Sequence, residues 1–269
     1  MEPKLYYSAD KFQTMLRTRV TARNLTVLDQ VDSTNQYLKD RAFDLPHGAT
    51  VVAASQTSGR GSKGRVWSSP MGEGVFFSVL YRPQVPFDFG VMTPGVGLAV
   101  CRGLRRLTNL PVMIKWPNDP VVDGKKIGGI LCESVWQGSQ AALILGIGIN
   151  LSASREQFLQ RDLPHAASLA MLGWEKLTGE QVASAILDEL EPIYDSVCQR
   201  GELGSLAEQL SQWCVTLGRR VRISTRDEEF EAMAESIDPQ GRLVVSREGQ
   251  KQVLTVSEVS VRGLYGYAE

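Results

Sequence analysis

The stretch Leu145-Gly146-Ile147-Gly148-Ile149-Asn150-Leu151 alternates apolar side chains with glycine and runs into an asparagine. Neighbours in a strand point to opposite faces, so the glycines strip side chains from one face while the other packs on a core. Such a face accepts either a neighbouring backbone or a ligand. Upstream, Lys125-Lys126-Ile127-Gly128-Gly129-Ile130-Leu131-Cys132-Glu133 reads as a β-hairpin opened by the Asp123-Gly124 turn. Val112-Met113-Ile114 is a short strand before it. Further strands are expected at 50–54 and 74–80. Val96, Ala99, Val100, Gly103, Leu104 and Leu107 recur at helical spacing until Leu110-Pro111 stops them. The expected fold class is α+β, a mixed β-sheet backed by helices.

Two segments carry cations where a ligand could meet them. Gly59-Arg60-Gly61-Ser62-Lys63-Gly64-Arg65-Val66-Trp67 interleaves glycines with cationic side chains. Glycine lets backbone N–H groups close on a small anion, and arginine offers a planar fork to a phosphate or carboxylate. A ligand-free surface turn has the same composition, so the loop alone leaves both readings open. Lys115, in Ile114-Lys115-Trp116-Pro117-Asn118-Asp119, falls at the mouth of a strand before a turn. Ser33 is placed to cap a helix bearing Tyr37 and Leu38, which puts Ser33, Thr34 and Asn35 at a helix N-terminus.

Further along, Thr178 and Gln181 form a capping-box pattern ahead of Val182, Ile186, Leu190, Ile193 and Val197. Pro192 is positioned to kink that helix before Gly201 ends it. Leu206, Leu210 and Trp213 suggest a connecting helix. Beyond Leu217 short alternating strands follow around Val221 and Ile223, Phe230 and Ala232, Leu243 and Val245, Val253 and Leu254, and Val259 and Val261, with a turn at Pro239-Gln240-Gly241. These residues alone predict a small all-β unit.

Composition bounds less than the motifs do. The 269 residues are 43% hydrophobic with a formal charge of −1, enough to bury a core and without the bias that calls for DNA or a membrane surface. The longest apolar stretch, 141–151, is shorter than the roughly 20 residues that span a bilayer. The start, Met1-Glu2-Pro3-Lys4-Leu5-Tyr6-Tyr7, lacks the apolar core of a signal peptide, so a cytoplasmic location is expected. Cys101, Cys132, Cys198 and Cys214 have no paired spacing, and only His47 and His165 accompany them, which argues against a zinc site. Cys132 falls on an apolar strand with no base beside it and reads as core.

Taken in order, Asp32-Ser33-Thr34-Asn35, Gln56, the Gly59–Trp67 loop, Lys115-Trp116-Pro117-Asn118-Asp119, Lys126-Ile127-Gly128-Gly129-Ile130-Leu131 and Gly146-Ile147-Gly148-Ile149-Asn150 resemble the biotin protein ligases, also called biotin–acetyl-CoA-carboxylase ligases or holocarboxylase synthetases. The resemblance runs from about residue 26 to the C-terminus. It implies a class II synthetase-like biotin/lipoate ligase catalytic domain over 1–215 and a C-terminal SH3-like barrel over 216–269. One departure stands out: the family usually carries a second arginine as the fourth loop residue, where this chain has Ser62.

What the resemblance implies chemically is a two-step reaction. Biotin attacks the α-phosphate of Mg²⁺-bound ATP to give biotinoyl-5′-AMP, and a lysine of a biotin carboxyl carrier domain then takes the acyl group. Lys115, Arg60 and Arg65 are the implied catalytic cations. Ser33, Thr34, Asn35, Gln56, Gly59, Arg60, Trp67, Lys115, Gly128 and Gly129 are implied to bind biotin. Arg60, Ser62, Lys63, Arg65, Trp67, Asn118, Asn150 and Arg262 are implied to bind the nucleotide, and the magnesium ligands are not fixed by sequence. In family members that double as repressors a winged-helix domain precedes the catalytic domain. The early position of Ser33-Thr34-Asn35 leaves no room for it, so no specific DNA binding is expected, while a homodimer stays open. Ser62 raises the expectation that the adenylate leaks and labels nearby lysines. The alternatives are a lipoate ligase or octanoyltransferase, and a catalytically weak biotin-binding regulator.

Overall fold

The computed structural model describes residues 6–84, 87–225, 228–256 and 260–263, the last with side-chain detail only at Val261. In chain order the elements are α1 (Ala9–Met15), β1 (Leu25–Val31), α2 (Thr34–Lys39), β2 (Thr50–Gln56), β3 (Gly74–Tyr81), α3 (Met92–Thr108), β4 (Met113–Lys115), β5 (Asp119–Val122), β6 (Lys125–Lys126), β7 (Gly128–Gln137), β8 (Gln140–Asn150), α4 (Arg155–Gln160), α5 (Gly179–Arg200), α6 (Leu206–Gln212), β9 (Arg220–Ser224), β10 (Glu229–Ile237), β11 (Leu243–Arg247), β12 (Gln250–Leu254) and β13 (Ser260–Gly263).

The central sheet runs β1-β2-β3-β8-β7, with β1 and β2 parallel and the other neighbours antiparallel, so the expected mixed sheet is present. Its register sorts side chains by face. Phe76 and Ser78 of β3 pair with Gly148 and Gly146 of β8, which pair in turn with Gly129 and Leu131 of β7. The intervening residues Val75, Phe77, Val79, Leu145, Ile147 and Ile149 join the main core with α3 and α5. One face is therefore greasy and covered by α3 and α5; the other carries glycine at 129, 146 and 148 and, beside them, a smaller apolar cluster in which Leu80 and Ile144 pack with Leu38 of α2. The two covering helices come close where α3 carries Gly103, since a Cβ there would lie 2.7 Å from the Ala185 carbonyl of α5.

The local signals act as read. Ser33 caps α2 by accepting from Gln36 N–H, and Thr178 with Gln181 forms a complete capping box on α5. That helix continues through Pro192 to a left-handed cap at Gly201. The reading of the 127–133 strand needs correction. The Asp123-Gly124 turn, both residues at positive φ, closes a small hairpin of β5 and β6, whereas β7 leaves that hairpin and pairs along β8. The change of partner occurs at Ile127-Gly128. There Ile127 N–H donates to Pro120 O, and the bare Cα of Gly128 lies against the Gly148 carbonyl.

Strands β12-β11-β10-β9-β13 form the antiparallel C-terminal unit of the SH3-like kind. Val259, part of the last expected strand, lies outside the described residues. The unit docks on the turn after Lys115: Trp116 Nε1 donates to Gly241 O at 2.9 Å from a buried position, and Leu203 N–H donates to Pro239 O at 2.7 Å. Among the described residues no helix is long and apolar enough to cross a membrane.

Candidate active site

Over the glycine face of the sheet lies a cavity of about 410 Å³, within the usual range for a small-molecule site. Its floor is Phe76, Gly129, Gly146 and Gly148, and the bare positions are needed. A Cβ at Gly146 would collide with the Asn35 side chain, and Cβ atoms at Gly129 and Gly148 would each come within 2.8 Å of the Trp67 indole. The alternation in β8 thus makes room for two side chains that roof and wall a ligand space.

One end of the cavity is polar and neutral. Ser33, Thr34 and Asn35 reach it because α2 begins there, and Gln56 reaches it from the last position of β2. Thr34 N–H donates to Gln56 Oε1 at 2.9 Å, and Gln56 Nε2 donates to Ser69 Oγ at 2.9 Å. Asn35 is fully engaged, its Nδ2 donating to Leu131 O and Glu133 Oε2 while its Oδ1 accepts from Ser78. Burial alone would raise the Glu133 carboxyl. Hydrogen bonds from Lys39 and Asn35, with the charges of Lys39 and Arg60, outweigh it and hold the carboxyl below its ordinary value.

The loop from Gly59 to Trp67 is a small closed hairpin. Trp67 N–H donates to Gly59 O, Gly61 N–H donates to Arg65 O at 2.7 Å, and Arg60 bridges to Val66. Gly59 has no space for a side chain, since a Cβ would run into the Trp67 carbonyl. Lys63 and Gly64 turn the tip at positive φ. Arg60 and Arg65 line the cavity from exposed positions, and Arg65 Nη2 donates to Ser62 Oγ at 2.8 Å. Val66, 85% exposed, stands at the rim. The Trp67 indole Nε1 is buried without an acceptor among the described residues, an unspent donor in the cavity wall.

The other end is cationic and apolar together. Asn118, Lys126 and Asn150 line it, as do Phe158 and Arg161 from the excursion that leaves β8. Lys126 Nζ pairs with Asp119 at 2.5 Å and lies 5.2 Å from the Trp67 ring centre. Glu73 fixes the excursion: its carbonyl accepts from Leu151 and Ser152 N–H, and its carboxylate takes both forks of Arg161 at 2.6 Å and Gln157 at 2.8 Å. The Cys132 thiol, pushed up to about 12 chiefly by burial, is no nucleophile at neutral pH. Among the described residues no three or more His, Cys, Asp or Glu side chains gather to hold a metal ion.

Of the residues singled out from sequence, the cavity brings together Ser33, Thr34, Asn35, Gln56, Arg60, Ser62, Arg65, Trp67, Asn118, Gly129 and Asn150. Gly59, Lys63, Lys115 and Gly128 are not on its lining. Lys115 is 9% exposed at the end of β4, opposite Asp119 and three residues before the lining Asn118. Arg262 falls on β13, and its side chain lies outside the described residues. Phe76, Glu73, Lys126, Phe158 and Arg161 were missed. Alternation along Gly74-Val75-Phe76-Phe77-Ser78 could have found Phe76, but no local signal distinguishes Lys126 from Lys125.

Comparison with known proteins agrees with this geometry. Residues 27–150 match a model described as the biotin/lipoate A/B protein ligase family, and residues 216–262 match the biotin protein ligase C terminal domain. The bifunctional ligase/repressor BirA of Escherichia coli is 31% identical over 251 residues, 89% of this chain and 74% of that protein. A biotin--[acetyl-CoA-carboxylase] ligase of Mycobacterium tuberculosis is 32% identical, with 88% of each chain covered. Among solved structures, the biotin protein ligase from Aquifex aeolicus in complex with biotin and ATP superposes with a TM-score of 0.77 at 25% identity, over 90% of this chain and 99% of that one. With both of its family regions matched and its fold shared, the chain belongs to the biotin protein ligase family.

Proposed function

We propose that this chain is an ATP-dependent ligase that activates biotin as biotinoyl-5′-AMP and transfers the biotinoyl group to a lysine of a biotin carrier domain. The observation that carries the reading is one continuous cavity with a neutral hydrogen-bonding end at Thr34 and Gln56, an aromatic and glycine waist at Trp67, and cations at Arg60, Arg65 and Lys126. Biotin has the matching sequence of parts: a ureido ring, an apolar ring and chain, and a carboxylate. In the first step a carboxylate oxygen attacks the α-phosphorus of Mg²⁺-bound ATP and pyrophosphate leaves. In the second a lysine amine attacks the acyl carbon, loses a proton and displaces AMP.

Both steps bring anionic groups together in a confined space, where fixed cations act more strongly than in water. Arg60, Arg65 and Lys115 are assigned that role, Lys115 by spanning the biotin carboxylate and the α-phosphoryl oxygens. Ser33, Thr34, Asn35 and Gln56 serve the ureido end, and Gly59, Trp67, Gly128 and Gly129 shape the walls. Ser62, Lys63, Asn118, Asn150 and Arg262 are assigned to the nucleotide side. The catalytic domain is proposed to end near residue 215 and the C-terminal domain to cover 216–269, a division supported by the change from helices to an antiparallel sheet there. Four cysteines free of disulfides support a cytoplasmic setting.

Ser62 gives the loop a short hydroxyl where the family usually has a guanidinium, and this supports partial release of the adenylate. The reaction itself is tested by acid-dependent ATP–pyrophosphate exchange. Biotin is expected to drive exchange while lipoate and octanoate do not; exchange driven by lipoate or octanoate alone overturns the assignment.

A further inference from the structure

Beneath the neutral end of the cavity a line of side chains leads away from the ligand space to an ion pair. Lys39 Nζ donates to Glu133 Oε1 at 2.8 Å, and Asn35 Nδ2 donates to Glu133 Oε2 at 2.8 Å and to Leu131 O at 3.1 Å. Ser78 Oγ lies 2.6 Å from Asn35 Oδ1 and 2.8 Å from Thr34 Oγ1. Thr34, Asn35 and Ser78 are 4%, 3% and 0% exposed, so their neighbours rather than bulk water decide where each proton goes.

This line has one direction. A carboxylate and a peptide carbonyl only accept, so the Asn35 amide must turn its NH₂ to Glu133 and Leu131 and its oxygen to Ser78. The oxygen carries no proton, so the single hydroxyl proton of Ser78 points at it. With that proton committed, a hydrogen bond between Ser78 and Thr34 can be donated only by the Thr34 hydroxyl. Its one proton is directed inward, to Ser78 or to Gln56 Oε1 at 3.2 Å, and toward the cavity Thr34 Oγ1 presents lone pairs only.

We infer that Glu133 is a positioning residue that, with the Leu131 carbonyl, sets the polarity of this line and so favours Thr34 as an acceptor for an N–H of the ligand. The inference rests on the reading of the ligand as biotin, whose ureido ring carries two N–H groups. A dithiolane ring or an alkyl chain brings no such donor and would leave a buried acceptor unsatisfied, which disfavours it. Glu133 thus acts on selectivity without touching the ligand. The hydrogen bonds from Lys39 and Asn35 keep its carboxylate ionised, and hence acceptor-only, at neutral pH.

The test is Glu133→Gln, which keeps the shape but can offer NH₂ to Asn35, leaving the Leu131 carbonyl alone to hold the amide's orientation. Exchange kinetics are measured with biotin and with its two mono-N-methylated ureido analogues. Wild type is expected to prefer biotin by about tenfold over the analogue that blocks this contact. Glu133→Gln should raise KM for biotin by about tenfold, leave kcat and KM for ATP near wild type, and erase much of that preference. Ser78→Ala cuts the same line from the other side and should give the same loss, with the double variant no worse than either single one; it carries the test alone where Glu133→Gln does not fold. Unchanged biotin KM and analogue preference overturn the inference, as does a parallel loss in KM for ATP and kcat, which marks a general structural defect. A wild-type protein with no biotin-dependent exchange overturns the ligand reading itself and the inference with it.

Discussion

Lys115 sits buried at the end of β4, one residue before the tryptophan that anchors the C-terminal unit. Its assigned contact is with charge that develops during adenylation, so Lys115→Ala should lower biotin-dependent pyrophosphate exchange by about a hundredfold or more while biotin binding weakens less. A near-normal exchange rate would remove it from the mechanism. Ser62 is the second residue on which the account depends. Its hydroxyl accepts from Arg65 and brings no charge of its own to an adenylate. Ser62→Arg should therefore cut labelling of a bystander protein by about tenfold, the worth of a charge-assisted hydrogen bond. Equal labelling by both proteins would make Ser62 neutral. Residue-scale legibility was uneven. Thr34, Gln56 and Arg60 could be read because each stands in a motif, whereas Glu133 acquires its place only when β7 carries it beneath Asn35, across most of a hundred positions of sequence.

At the scale of elements, patterns with a physical period were legible and those set by long-range pairing were not. The glycine alternation of β8 and the capping box of α5 are local and appear as read. The Asp123-Gly124 turn and the Ser154/Gln157 capping box of α4 are local as well, but the departure of β7 from the β5–β6 hairpin to β8 and the tie of α4 to Glu73 are set by partners distant in sequence. Another such partnership joins α5 to the chain before β1. Glu191 is 6% exposed and accepts backbone N–H bonds from Arg19, Val20 and Thr21. Burial would raise its pKa, but those bonds prevail and lower it. The unfolded chain then binds the proton more readily, so the stabilisation is complete above the ordinary carboxylate range and is lost as pH falls through the lowered value. Glu191→Gln should cost about 1 to 3 kcal/mol at neutral pH, because an NH₂ must face N–H groups. Its denaturation midpoint should also fall less steeply in acid than that of wild type; parallel acid limbs would contradict this.

Across the whole molecule, the mixed sheet, its helical cover and the small antiparallel unit followed from hydrophobic period and strand spacing, while the docking of Trp116 against Gly241 did not. An indole can find a carbonyl in many places, and the choice belongs to the assembled fold. The fold in turn brings the neutral pocket, the aromatic waist and the cations into one cavity, and the central claim is that this cavity joins biotin to a lysine at the expense of ATP. The most direct test is intact-mass spectrometry of a purified biotin carrier domain incubated with the protein, ATP, Mg²⁺ and biotin. The account predicts a gain of one biotinoyl group on one lysine, absent when ATP or biotin is withheld. An unmodified carrier under these conditions, or modification only when lipoate or octanoate replaces biotin, would contradict it.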